Sequence, residues 1–108
     1  MLVNCTPHAI DVLLWNGDIL SIPPSGTVAR VATFQQDAGL IDGVPISDQV
    51  FGDIVGLPDP SPGTYYIVSA LVLNAAKAVG RTDCLAPNTI QAYRDSKGNI
   101  LGVPGFIR

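Results

Sequence analysis

Apolar and polar positions alternate along most of this chain with the period of two that a half-buried strand imposes. Residues 2–4 read as a short strand and residues 9–15 as a second, followed by Asn16-Gly17 and an apolar return over 19–22. Asn-Gly between two apolar runs is the strongest short-range hairpin signal, because the tight turn needs positive φ. Pro23-Pro24-Ser25-Gly26 ends that return, since proline lacks the ladder donor and glycine permits the bend. Residues 27–33 alternate again, with Val28, Arg30 and Ala32 on one face.

The pattern then loosens. Residues 35–47 contain Gly39, Gly43 and Pro45 and are expected to form a loop or an edge hairpin. Residues 49–55 read as a strand interrupted at Gly52 by a bulge or turn. The run 57–63 carries three prolines and is expected to be an extended connector. Residues 64–69 form the densest β-branched and aromatic run and predict a central strand. After it the period changes. Residues 70–79 are rich in Ala and Leu, with Leu71, Ala75 and Ala78 on one helical face and Gly80 at the C-cap position. This predicts the one helix, against the alternative that the strand continues past Ser69. Residues 81–88 are expected to loop, 89–94 to form a strand, and 95–99 to turn into a last strand at 100–103, with Phe106 and Ile107 packing beyond Pro104. The expectation is a β-rich α+β fold: one domain over residues 1–108, antiparallel hairpins and one short helix.

Composition adds a statement about surface. Apolar residues make up 47% of the 108, but charged residues only 14%, against roughly 25% in an average soluble protein. A small domain has proportionally more surface to solvate, so a chain this poor in charge is expected to cover part of itself with further copies, as a homo-oligomer. The net charge of −3 is unevenly placed. Residues 1–60 hold seven aspartates and one cation, Arg30, for −6; residues 61–108 hold five cations and two aspartates, for +3. An acidic whole excludes broad binding to long nucleic acid, which needs several phosphate-neutralising contacts. Cys5 and Cys84 lie far apart, and no basic-then-apolar leader precedes them, so both are expected to be reduced thiols in a cytoplasmic protein. No apolar run reaches the roughly 18 residues of a membrane span.

Enzyme templates fail in turn. His8 is the single histidine and there is no glutamate, which removes His-rich metal sites and Glu-based acid–base pairs. Most aspartates stand at turns, where they satisfy local backbone donors. Neither a nucleophile elbow nor a phosphate loop occurs. A Cys/His pair lacks the electropositive surroundings that activate a thiolate. The chain is expected to bind, not to catalyse, and to need no cofactor.

Polar residues at chain reversals are the candidates for that binding. Thr6-Pro7-His8 interrupts the first strands, and its Thr and His either satisfy backbone groups or meet a ligand. Arg30 lies inside a strand, unusual for a solvated charge; it either pairs with an aspartate or faces an anion. Arg81 and Asp83 either pair with each other or divide between a phosphate and a ribose hydroxyl or base edge, chemistry suited to a nucleotide. Asn88 and Arg94 continue that polar stretch, Ser69 closes the central strand, and Tyr65, Tyr66 and Tyr93 offer either sheet packing or a stacking face.

Taken in order, Thr6-Pro7-His8, Pro23-Pro24-Ser25-Gly26 with Val28-Ala29-Arg30-Val31, Gly56-Leu57-Pro58, Pro62-Gly63-Thr64 with Tyr66-Ile67-Val68-Ser69, Arg81-Thr82-Asp83 and Arg94-Asp95 with Gly98-Asn99-Ile100 resemble a group of small proteins carried by tailed phages and prophages. The likeness spans nearly the whole chain through order and spacing. It implies one of two roles in the cytoplasm of an infected bacterium. In size and lack of a catalytic set the chain is similar to oligomeric anti-defence sponges, which sequester nucleotide immune signals without cleaving them. The other role is a structural or assembly component, such as a head-decoration or connector protein. The leading expectation is the sponge, with Thr6, His8, Arg30, Ser69, Arg81, Asp83 and Asn88 lining a site for a cyclic oligonucleotide or an ADP-ribose derivative.

Overall fold

A computed structural model describes all residues 1–108. Its centre is a four-stranded sheet in the order β1-β6-β7-β10, built from β1 (Leu2–Asn4), β6 (Tyr65–Ile67), β7 (Cys84–Pro87) and β10 (Phe106–Ile107). β1 and β7 both run parallel to β6, and β10 runs antiparallel to β7. The sheet is therefore mixed, and the chain crosses from β6 to β7 through the helix α1 (Ala70–Ala78), as parallel neighbours require.

Side-chain alternation along residues 66–68 divides the core in two. Tyr66 and Val68 face α1 and pack with Cys5, Val72, Leu73, Ala76, Cys84 and Ala86. Ile67 faces the other way, onto Val12, Ile22 and Val103, which belong to the hairpin of β2 (Ile10–Leu13) and β3 (Ile19–Ile22) and to the segment after β9 (Ile100–Gly102). A helix thus covers one face of the sheet and a hairpin the other. Each fully buried Ile or Val here contributes roughly 1.5–3 kcal/mol. α1 starts at Ser69, whose Oγ accepts from Val72 N at 3.2 Å. It stops where Gly80 takes φ +83°, with Gly80 N and Arg81 N donating to the carbonyls of Lys77 and Ala76, a Schellman ending. No helix is long and apolar enough to cross a membrane.

The fold is β-rich α+β with one short helix, as the period of the sequence indicates. The boundaries differ in instructive places. The Asn16-Gly17 reversal exists, but β2 ends at Leu13 and pairs with Ile19. The loop between them spans 14–18, only Gly17 has positive φ, and Trp15 is 98% exposed. Residues 84–87, expected in a loop, are a central strand, with Cys84 and Ala86 buried in alternation. Residues 89–91 form a 3-10 turn instead of a strand, and only β8 (Tyr93–Arg94) pairs with β9.

The largest difference lies in the middle of the chain. β4 (Arg30–Ile41) and β5 (Val44–Val55) are twelve residues each and pair antiparallel, so that of the two readings open for residues 35–47, a loop or an edge hairpin, the hairpin holds and is longer than expected. Asp42 and Gly43 make the reversal, both with positive φ (+51° and +77°), as a two-residue primed turn demands. Only the root of this hairpin touches the core, through Val31 and Ile54. The remainder projects as an arm, and the molecule measures 53 × 39 × 20 Å. Its radius of gyration is 16.6 Å, against about 13 Å for a compact chain near this length.

Candidate functional site

Asn4, at the end of β1, is buried to 1% and organises the loop that follows. Its Nδ2 donates to the carbonyls of His8 (2.9 Å) and Ile22 (3.0 Å), and its Oδ1 accepts from Thr6 N at 3.0 Å. Thr6 Oγ1 lies 2.6 Å from Asn4 Oδ1 and 3.0 Å from the His8 carbonyl; its one proton serves either acceptor. The loop is thereby tied to the sheet and to the end of β3. Backbone bonds then lay residues 25–29 beside it, Ser25 N donating to Asn4 O and Ala29 N to Cys5 O. Gly56 closes the far side. A Cβ on Gly56 would stand 2.2 Å from the Val28 carbonyl oxygen, so only glycine lets the end of β5 meet the approach to β4 this closely.

These constraints deliver Thr6, Arg30 and Ser69 to one cleft of about 200 Å³, at the N-terminal end of α1, with Cys5, Leu71 and Val72 among its apolar walls. Arg30 makes no ion pair; the single one in the molecule joins Arg81 to Asp83. The first turn of α1 holds no acidic residue, and its leading N–H groups, at Ala70 and Leu71, have no partner within the helix. An unpaired guanidinium, a hydroxyl and helix N–H donors at one apolar-walled cleft are chemistry for a phosphate or carboxylate carrying a flat or apolar group. Burial pushes the Cys5 thiol above its ordinary range, partly opposed by a hydrogen bond with Ser25, and Cys5 forms part of the cleft wall.

The other expected residues stand elsewhere. His8 follows in the same loop, exposed, with its carbonyl tied to Asn4 and no hydrogen bond from its ring. Arg81 lies past the opposite end of α1, roughly 13 Å of helix rise away, so Arg30 and Arg81 do not converge. The Arg81 guanidinium is engaged by its own surroundings: Nε and Nη2 donate to the two Asp83 oxygens at 2.9 Å, and Nη2 also to the Pro58 carbonyl at 2.9 Å. The pair raises the Arg81 pKa and holds the Asp83 carboxyl below the usual carboxylate range, hydrogen bonding between the two being the main cause for each. Of the two readings open for Arg81 and Asp83, their side chains take the ion pair, which clamps the proline-rich connector to the sheet. Arg81→Ala removes that clamp and is a structural substitution.

Asn88 pairs with Gln91 at 3.3 Å ahead of the 3-10 turn, and Arg94 donates to the Gly98 carbonyl, both apart from the cleft. Tyr66 is sheet packing, its hydroxyl donating to the Asp59 carbonyl at 2.9 Å. The sequence signal missed most of the cleft walls and Asn4, whose role depends on Ile22 and is invisible locally. The lone cation of an acidic half was the signal that found Arg30. Comparison of the chain with protein-family models, with curated proteins and with solved structures returns no match in any of the three.

Proposed function

We propose that the chain is a phage-encoded anti-defence protein that sequesters a small anionic nucleotide, a cyclic oligonucleotide or an ADP-ribose derivative, without cleaving it. One observation carries this reading: Arg30, the sole cation of the first 60 residues, is unpaired and lines an apolar-walled cleft beside the helix N-terminus. Such a cleft binds a phosphate through charge and donors. Its volume of about 200 Å³ falls below the roughly 300–1,000 Å³ of a complete small-molecule site. It suits one phosphate with its sugar, and the rest of the nucleotide then reaches a second subunit. That agrees with a homo-oligomer, which the low charge content also favours, acting in the cytoplasm of the infected cell.

The test is native mass spectrometry after incubation with cyclic di- and trinucleotides and cyclic ADP-ribose isomers, followed by denaturation and identification of the released species. The expected result is one intact nucleotide at a fixed ratio per subunit, lost in Arg30→Ala with the urea midpoint unchanged, since Arg30 is exposed and unpaired. No retention across the whole panel overturns the reading. The arm of β4 and β5 favours the second one, a phage structural or assembly component, because a long projecting hairpin with apolar side chains is a device for joining chains. Abundance in purified virions is its signature.

A further inference from the structure

The arm has little to support it in a lone subunit. Two strands with no third neighbour are marginal in water, yet β4 and β5 run twelve residues each, and their tip exposes Leu40 (68%), Ile41 (63%) and Val44 (58%). Beyond its root the arm carries Asp37, Asp42, Asp48 and Asp53 and no cation. At the C-terminal end of α1 lies a cavity of about 320 Å³ with the opposite character: Leu73 and Cys84 are buried in its floor, and Lys77, Arg81 and Arg108 line it. Arg81 is neutralised by Asp83, but neither Lys77 nor Arg108 makes a side-chain hydrogen bond or an ion pair with the rest of the chain.

We infer that the arm tip of one copy seats in the Lys77/Arg108 cavity of a second copy, which deepens the homo-oligomer reading and rests on it. Apolar Ile41 and Val44 flank Asp42 at the tip, and the cavity offers an apolar floor under a cationic rim, so both hydrophobic and charge requirements are met at once. The cavity of about 320 Å³ is of a size for the few side chains at the tip. A reciprocal exchange about a two-fold axis closes the assembly and covers the exposed apolar tip of each arm.

Two variants separate the halves of the contact. An arm variant, Ile41→Thr with Val44→Thr, keeps β-branched residues and the Asp42-Gly43 turn while removing apolar surface. A cavity variant, Lys77→Glu, reverses the rim charge at an exposed helical position. Sedimentation velocity of the full chain over a concentration series is expected to show an oligomer that each variant weakens by at least about tenfold, near 1.4 kcal/mol. Circular dichroism and urea midpoints of dilute protein report whether each variant folds. Mixing the two is expected to restore a dimer, because one intact tip then meets one intact cavity. Oligomers that persist undiminished in both variants overturn the arm contact while leaving self-association standing. A wild-type chain that sediments as a monomer at every concentration overturns self-association itself.

Discussion

Asn4 places both of its donors on the His8 and Ile22 carbonyls and accepts from Thr6 N. These bonds give the Thr6-Pro7-His8 loop a fixed shape without secondary structure, and no buried side-chain polar atom is left unsatisfied anywhere in the molecule. The Arg81–Asp83 pair does the same for the proline-rich connector, and its consequence is a pH dependence. The folded Asp83 pKa is depressed by hydrogen bonding to Arg81, so its contribution to stability is complete above the unfolded value of about 3.9. It is lost as pH falls through the folded pKa. Urea midpoints between pH 7 and pH 3 are expected to fall less steeply in Asp83→Asn than in the parent, from a lower starting point at pH 7. Equal slopes would show that other carboxylates dominate acid unfolding. Arg30 was legible in the sequence as the one cation of an acidic half, lying inside a strand, and Ser69 as the last residue of the central strand. Asn4 was not, since its partners are set by the tertiary fold.

Among the elements, those written by local chemistry were legible and those written by long-range pairing were not. Gly80 ends α1 as the sequence indicates, with Ser69 found as its N-cap, and Asn16-Gly17 marks a hairpin. Gly39 and Pro45 left residues 35–47 open between a loop and an edge hairpin, and the length of the hairpin was not legible. In the structure Gly39 takes φ +87° at the irregularity between Asp37 and Leu40, and Pro45 pairs on a strand with open edges, where its missing donor costs little. β7 escaped notice because Cys84, Ala86 and Pro87 have weak strand propensity. Burial between β6 and β10 fixes it, and those partners lie about twenty residues away on either side. The root of the arm depends on Gly56. In Gly56→Ala the new Cβ meets the Val28 carbonyl at 2.2 Å in a backbone with φ +84°. The expected loss is on the order of 3 kcal/mol in urea unfolding. A loss under about 0.5 kcal/mol would show that β5 can shift away from residue 28 without harm.

For the whole molecule, four of the seven aspartates of the first half stand on the arm, and three of the five cations of the second half line the cavity at the C-terminal end of α1. The composition thus indicated that the chain is unevenly charged, and the fold decides where the two signs are displayed. The order β1-β6-β7-β10 has a further consequence, which concerns time. Leu2 lies beside Tyr65, and Tyr66 lies beside Cys84, so the first strand to be synthesised waits for more than sixty residues before a partner exists. Contacts this distant in sequence are slow to form, and at roughly 5–20 residues per second of synthesis the wait is seconds long. During it Cys5 is bare; afterwards Cys5 and Cys84 are both sealed in the same cluster. The two thiols are therefore a built-in clock for closure of the sheet. In a pulse of thiol reagent during refolding, both are expected to lose reactivity in one kinetic phase. Separate phases would mean that the helix side of β7 closes before the first strand arrives.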